Sequence, residues 1–164
     1  DQAQGWHKTL SNVPLADIVD IVFGARPHAI SLEAANPRHA HEYTLFETVK
    51  LPPGKVLIPG VISHSTVLVE HPELVAERIT RYASLVGRER VIAGSDCGFA
   101  TFAGSKEVHP SIVWAKFEAL AEGARLASKE LWKKSAAKKA PVKKFVAKSA
   151  AKKKPAKKKA RAKR

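Results

Sequence analysis

A carboxylate and a thiol set the chemical scope of this chain: Glu33, in Ile30-Ser31-Leu32-Glu33-Ala34, and Cys97, in Gly94-Ser95-Asp96-Cys97-Gly98. Each closes a short apolar run, the first and the third of three such runs. Cys sulfur, His nitrogen and Asp or Glu oxygen are the donors Zn²⁺ takes in a tetrahedron. Two donors leave that tetrahedron half filled. Spacing alone leaves open a plainer account, in which Cys97 is a small buried apolar residue and Glu33 an exposed or salt-bridged carboxylate. Seven histidines offer further ligands. His28, His71 and His109 stand beside prolines and helix starts, however, and read as caps or surface residues. His39 and His41 follow the Glu33 run and either touch a substrate or cap the next helix.

The elements that must position these residues come from apolar periodicity. Residues 1–14 are polar and carry Gly5, Ser11, Asn12 and Pro14, so they read as a connector. Leu15, Ile18, Val19 and Val22 recur at helical spacing, with Gly24 and Pro27 as the stop. His28–Glu33 reads as a strand and Glu42–Val49 as a short helix ended by Pro52-Pro53-Gly54. Lys55–Ile62 is almost continuously apolar, as a parallel strand covered on both faces requires. A helix over His71–Val86 follows, with Leu74, Val75, Ile79, Tyr82, Ala83 and Val86 as its apolar stripe and Gly87 as its cap. Arg90–Asp96 predicts the third strand, and a glycine-rich loop leads into a helix from Pro110 to about Trp132. Val113, Phe117, Leu120, Ala124 and Leu131 are its expected buried face. Pro72 and Pro110 sit where a first turn wastes no backbone donor. An α-βα-βα-βα pattern with units of about 30 residues implies a parallel sheet, open or part of a barrel. A site would then lie in the loops after the strands, at 33–41, 63–70 and 97–109.

Four segments carry a resemblance. Glu33-Ala34-Ala35-Asn36-Pro37-Arg38-His39, Leu57-Ile58-Pro59-Gly60-Val61-Ile62, Val69-Glu70-His71-Pro72-Glu73-Leu74-Val75-Ala76-Glu77-Arg78 and Val91-Ile92-Ala93-Gly94-Ser95-Asp96-Cys97-Gly98-Phe99 are similar, in order and spacing, to the closing units of the cobalamin-independent methionine synthase family. The similarity runs from about Val13 to Trp132 and is most specific around Cys97. It implies about three βα units at the C-terminal end of a zinc-dependent (β/α)₈ TIM barrel. That family moves a methyl group from a folate to the sulfur of homocysteine in methionine biosynthesis; some relatives, including coenzyme M transferases acting on epoxides, alkylate other thiols.

The resemblance implies Glu33 and Cys97 as two metal ligands, the other two being a His-x-Cys pair at the end of the preceding strand, just before Asp1. It also implies a histidine proton carrier after the second strand. His64 stands nearest that place here, about one residue out of register and with Ser63 where relatives often carry an acid, so it is either that catalytic proton carrier or a loop histidine exposed at the barrel mouth. Such ligands suit the chemistry. A free thiol of pKa about 8.5 is mostly protonated at neutral pH, and Zn²⁺ deprotonates it while keeping a nucleophilic sulfur. An exchangeable coordination position separates a catalytic from a structural site. Homocysteine and methyl-folate lead among substrates by family frequency.

The charge divides the chain in two. The 164 residues sum to +14, but 16 of the 29 basic residues lie from Lys133 to Arg164 with no acid among them, and the stretch before holds 13 basic against 15 acidic. Residues 1–132 are therefore expected to form a partial methionine synthase C-terminal barrel domain. Residues 133–164, built from Lys, Ala, Pro and Ser with Phe145 as the one aromatic, are expected to be a disordered tail. Such a tail would bind nucleic acid or another polyanion non-specifically, through phosphate and with steep salt dependence, without base stacking. A non-catalytic binding protein acting through the tail is the competing reading.

About 200–250 residues are usual for a closed barrel, so 132 hold about half. With Asp1 first and no methionine anywhere, the chain is expected to be an N-terminally truncated fragment that neither holds zinc tightly nor turns over. One cysteine, no apolar run of membrane length and no leader predict a cytoplasmic protein with no membrane partner.

Overall fold

A computed structural model describes residues 13–100, 104 and 108–136. The expected connector before Val13 and all but the first residues of the expected tail lie outside them. Three parallel strands, β1 (Ala29–Leu32), β2 (Val56–Ile62) and β3 (Gly94–Ser95), form one sheet in the order β1-β2-β3. Four helices accompany them: α1 (Leu15–Gly24), the short α2 (Leu45–Thr48), α3 (Pro72–Val86) and α4 (Pro110–Ala136). No helix among the described residues is long and apolar enough to cross a membrane.

Local chemistry accounts for most boundaries. α1 starts after Pro14, and its first amide, on Leu15, donates to the Glu42 carboxylate at 2.9 Å. That supplies a partner to one of the orphan donors of a helix start. α1 ends where Ala25 turns extended before Pro27. At the start of α3, the His71 ring accepts from the Glu73 amide while Pro72 opens the helix. His109 does the same for Ser111 at the start of α4. Gly87, at φ 97°, closes α3 with a bond from its amide to the Ala83 carbonyl, in a backbone region that side chains resist.

Two apolar clusters hold the sheet to the helices. One gathers Leu15, Ile30, Phe46, Leu51, Leu57, Tyr82 and Val86, with Phe46 and Tyr82 edge to face at 5.9 Å. The other gathers Val61, Ile62, Val75, Ile79 and Ala127. The stripe expected on α3 is buried except for Leu74, which is 40% exposed.

Two expectations differ from the structure. β3 is a two-residue strand with an isolated bridge from Val91 to Leu57, where a continuous strand from Arg90 to Asp96 was expected. Its register with β2 shifts between Gly60 and Ile62. Pro59 has no amide hydrogen, so a regular ladder cannot run through this part of β2. The buried line of α4 passes through Lys116, Ala119, Gly123 and Ala127, and the larger Phe117 is 38% exposed. The reason is close approach: a Cβ on Gly123 would lie 2.5 Å from the Val75 Cβ and 2.8 Å from the Pro72 carbonyl oxygen. Small residues on α4 let α3 sit against its backbone.

Candidate functional site

Because the strands are parallel, the residues after each one gather at one edge of the sheet. Glu33 follows β1, Ser63 and His64 follow β2, and Asp96 and Cys97 follow β3. Asp96 ties the three together. Its amide donates to the Ile62 carbonyl at 3.0 Å, and its Oδ1 accepts from the Ala34 and Ala35 amides at 2.7 and 2.9 Å. Glu33 and Cys97 are thus each one residue from the Ala34–Asp96 bond. The carboxylate reaches across β2 because Gly60 offers no side chain: a Cβ there would stand 2.2 Å from Asp96 Oδ1.

Asp96 is buried, and its Oδ2 meets no hydrogen-bond partner among the described residues. Burial raises its pKa above the ordinary carboxylate value, and the charge of Glu33 pushes the same way; the backbone amides oppose both.

Glu33 is about a third exposed. Its Oε2 accepts from the Asn36 amide nitrogen at 3.2 Å and stands 3.9 Å from His39 Nε2. The other ring nitrogen of His39 is 2.9 Å from Glu42 Oε2, and Glu42 in turn holds the start of α1. Glu33 therefore belongs to a carboxylate–imidazole–carboxylate chain that borders a cavity of about 210 Å³, with Leu15, Ile18 and Leu32 as apolar walls.

Cys97 is an exposed free thiol. It opens into a larger cavity of about 540 Å³ together with His64, Ser65, Thr66, Val67, Phe99 and Val108. His64 Nδ1 is buried and has no hydrogen-bond partner among the described residues. The loop that carries His64 is pinned from beneath: the Ser63 amide donates to Glu70 Oε1 at 2.7 Å, and Glu70 Oε2 pairs at 2.9 Å with Lys116, whose side chain is fully buried and also donates to the Leu68 carbonyl.

The structure therefore brings Cys97 and His64 into one cavity and sets Glu33 in a second one on the same edge of the sheet. His71 and His109 cap helix starts, and His28 is exposed. Sequence reasoning passed over Asp96, Glu42 and Lys116. A glycine inside an apolar strand signals close approach of another chain segment without saying which one; Lys116 lay off the expected inward line of α4, so the sequence did not mark its burial. Glu42 carried no such mark.

A zinc ion is what the resemblance implies, and the donor set fits it in part. One carboxylate and one accessible thiol share the edge, and one buried atom each on Asp96 and His64 has no hydrogen-bond partner among the described residues. Among the described residues no group of three or more His, Cys, Asp or Glu is placed to hold a metal.

No protein-family model matches the chain, and no curated protein matches it. Among solved structures it is similar to a B12-independent methionine synthase from Shewanella sp. W3-18-1 in complex with selenomethionine, with a TM-score of 0.63 and 24% identity. The match covers 79% of this chain and 36% of that one, so the chain spans little more than a third of its neighbour's length. The likeness is one of fold.

Proposed function

We propose that residues 13–132 are the closing βα units of a cobalamin-independent methionine synthase-like (β/α)₈ barrel, and that they carry half of a zinc site for methyl transfer to a thiol. The observation that supports this most is the Asp96 tie, which holds the turns bearing Glu33 and Cys97 one hydrogen bond apart at the C-terminal edge of a parallel sheet. Sites of parallel α/β folds and barrels lie at that edge.

In this reading Glu33 supplies a carboxylate oxygen and Cys97 a thiolate, and a His-x-Cys pair from an earlier strand completes the set. When bound, zinc lowers the pKa of the incoming thiol, homocysteine in the leading case, so that it enters as thiolate. The thiolate sulfur bonds to the methyl carbon as the carbon–nitrogen bond of a methyl-folate donor breaks, and the electron pair stays on that nitrogen. The nitrogen then needs a proton. In this reading His64, which lines the Cys97 cavity and whose Nδ1 has no partner among the described residues, would hold and deliver it. Val67, Phe99 and Val108 line the same cavity and would limit water around the transfer.

Reading the gene upstream of the codon for Asp1 tests the proposal. A His-x-Cys pair at the end of a predicted strand is the expected result; an upstream frame with no such pair would remove the metal site. We also propose that residues 133–164 associate with polyanions whatever the fate of the barrel, because that segment holds 16 basic residues and no acidic one. A mobility shift on DNA that persists after residues 133–164 are deleted would refute that part.

A further inference from the structure

Asp96 makes its side-chain bonds in an unusual direction. An aspartate in a turn ordinarily accepts from an amide about two residues ahead in its own turn. Asp96 Oδ1 instead accepts from Ala34 and Ala35, about sixty residues back in the sequence, across the top of β2. Its own amide is bonded to Ile62 of that strand. One residue thus joins the ends of all three strands.

The arrangement carries a cost that a purely structural tie would avoid. The residue is 8% exposed; the Asn36 backbone amide also favours its charged form, but Oδ2 has no hydrogen-bond partner within bonding geometry among the described residues. A buried polar group left short of partners costs free energy that an apolar replacement would not. The glycine beneath it is equally committed, since any side chain at residue 60 would meet the Asp96 backbone as well as Oδ1.

We propose that Asp96 is a positioning residue, whose bonds to the Ala34 and Ala35 amides over Gly60 fix the separation of Glu33 from Cys97. This rests on the reading of Glu33 and Cys97 as ligands of one ion, but the separation itself can be measured without any metal. Outer partners of metal ligands contribute about 10- to 100-fold to affinity through such placement. Gly60 acts through Asp96, and neither residue donates to the ion.

Cys97 is the one cysteine of the chain, so a Glu33→Cys variant labelled at both positions with nitroxides reports the distance by dipolar coupling. The expected result is a single narrow distribution in that parent. The narrow component is lost on adding Asp96→Ala or Gly60→Ala, and retained with Asp96→Asn, whose side-chain oxygen still accepts from the two amides. Arg90→Ala, at the opposite edge of the sheet, should leave the distribution narrow, with circular dichroism showing which variants are folded. An unchanged narrow distribution in folded Asp96→Ala or Gly60→Ala would overturn the proposal, as would equal broadening by Arg90→Ala. If Asp96→Ala does not fold, loss of the narrow component in Asp96→Asn would overturn it instead. A parallel Co²⁺ titration of chains with native Glu33 separates the two ideas. Coupling that depends on Asp96 without any cobalt–thiolate band keeps the positioning role and removes the shared ion; cobalt binding that is indifferent to Asp96 does the reverse.

Discussion

The two edges of the sheet solve the same problem in opposite ways. At the N-terminal edge, Arg90 donates to the carbonyls of Leu51, Pro52 and Lys55, and Lys55 donates to those of Ala25 and Pro27. Loop carbonyls there are met by long cations that keep part of their surface in water. At the C-terminal edge, one buried polar atom each on Asp96 and His64 has no partner among the described residues, beside an exposed thiol. One edge closes its loop carbonyls with cations, and the other keeps two buried polar atoms unpartnered among the described residues. The division is the one expected of parallel α/β architecture, in which stability collects below the sheet and chemistry above it.

Substitutions should separate the two edges, and the largest effect belongs to the buried Lys116–Glu70 pair on the C-terminal side. Lys116→Met leaves the Glu70 carboxylate buried without its cation and is expected to cost about 3–5 kcal/mol by urea unfolding. Adding Glu70→Gln should recover part of the loss. Full additivity of the two changes would show that the pair is not coupled. Arg90→Ala strips three loop carbonyls of a donor and is expected to cost about 2–4 kcal/mol, with Cys97 reacting toward thiol reagents at its original rate. A changed Cys97 rate would show that the two edges are not independent.

Gly123→Ala drives a methyl into Val75 and should cost about 1–3 kcal/mol, relieved by Val75→Ala in the same chain. The smallest effect at neutral pH is at Tyr82, whose phenol is pushed up to about 12, first by burial and then by the Glu42 charge. A raised acid pKa means that the folded state holds the proton more tightly, so this contribution is intact below about pH 10 and is lost as pH rises toward about 12. Tyr82→Phe should flatten the alkaline loss of stability. An alkaline limb unchanged in Tyr82→Phe would place its cause elsewhere.

These contrasts also mark what could be read from residues alone. β2 was legible because Val56–Ile62 is almost unbroken apolar sequence, and α3 because Pro72, its apolar stripe and Gly87 agree on one helix. Glu33 and Cys97 stood out by type and by their place after apolar runs, and parallel pairing puts both at one edge. β3 was overread because Arg90–Asp96 has strand composition, whereas the irregular ladder around Pro59 and Gly60 allows only a short pairing. The inward line of α4 was misplaced because large apolar residues draw the eye, while the helix contact is set by Ala119, Gly123 and Ala127 and admits Lys116 through Glu70 and the Leu68 carbonyl. Asp96 was passed over because its partners are distant in sequence, and no local pattern encodes a bond to Ala34.

The most direct test of the account is a Co²⁺ titration of the chain, following thiolate-to-cobalt charge transfer in the near ultraviolet. The wild-type chain should bind weakly and show the band, Cys97→Ser should lose it, and Glu33→Gln should weaken binding about tenfold or more, a difference of about 1.4 kcal/mol. A band of the same strength and affinity in Glu33→Gln, or no cobalt at Cys97 under any excess of metal, would contradict the claim that these two side chains serve one ion.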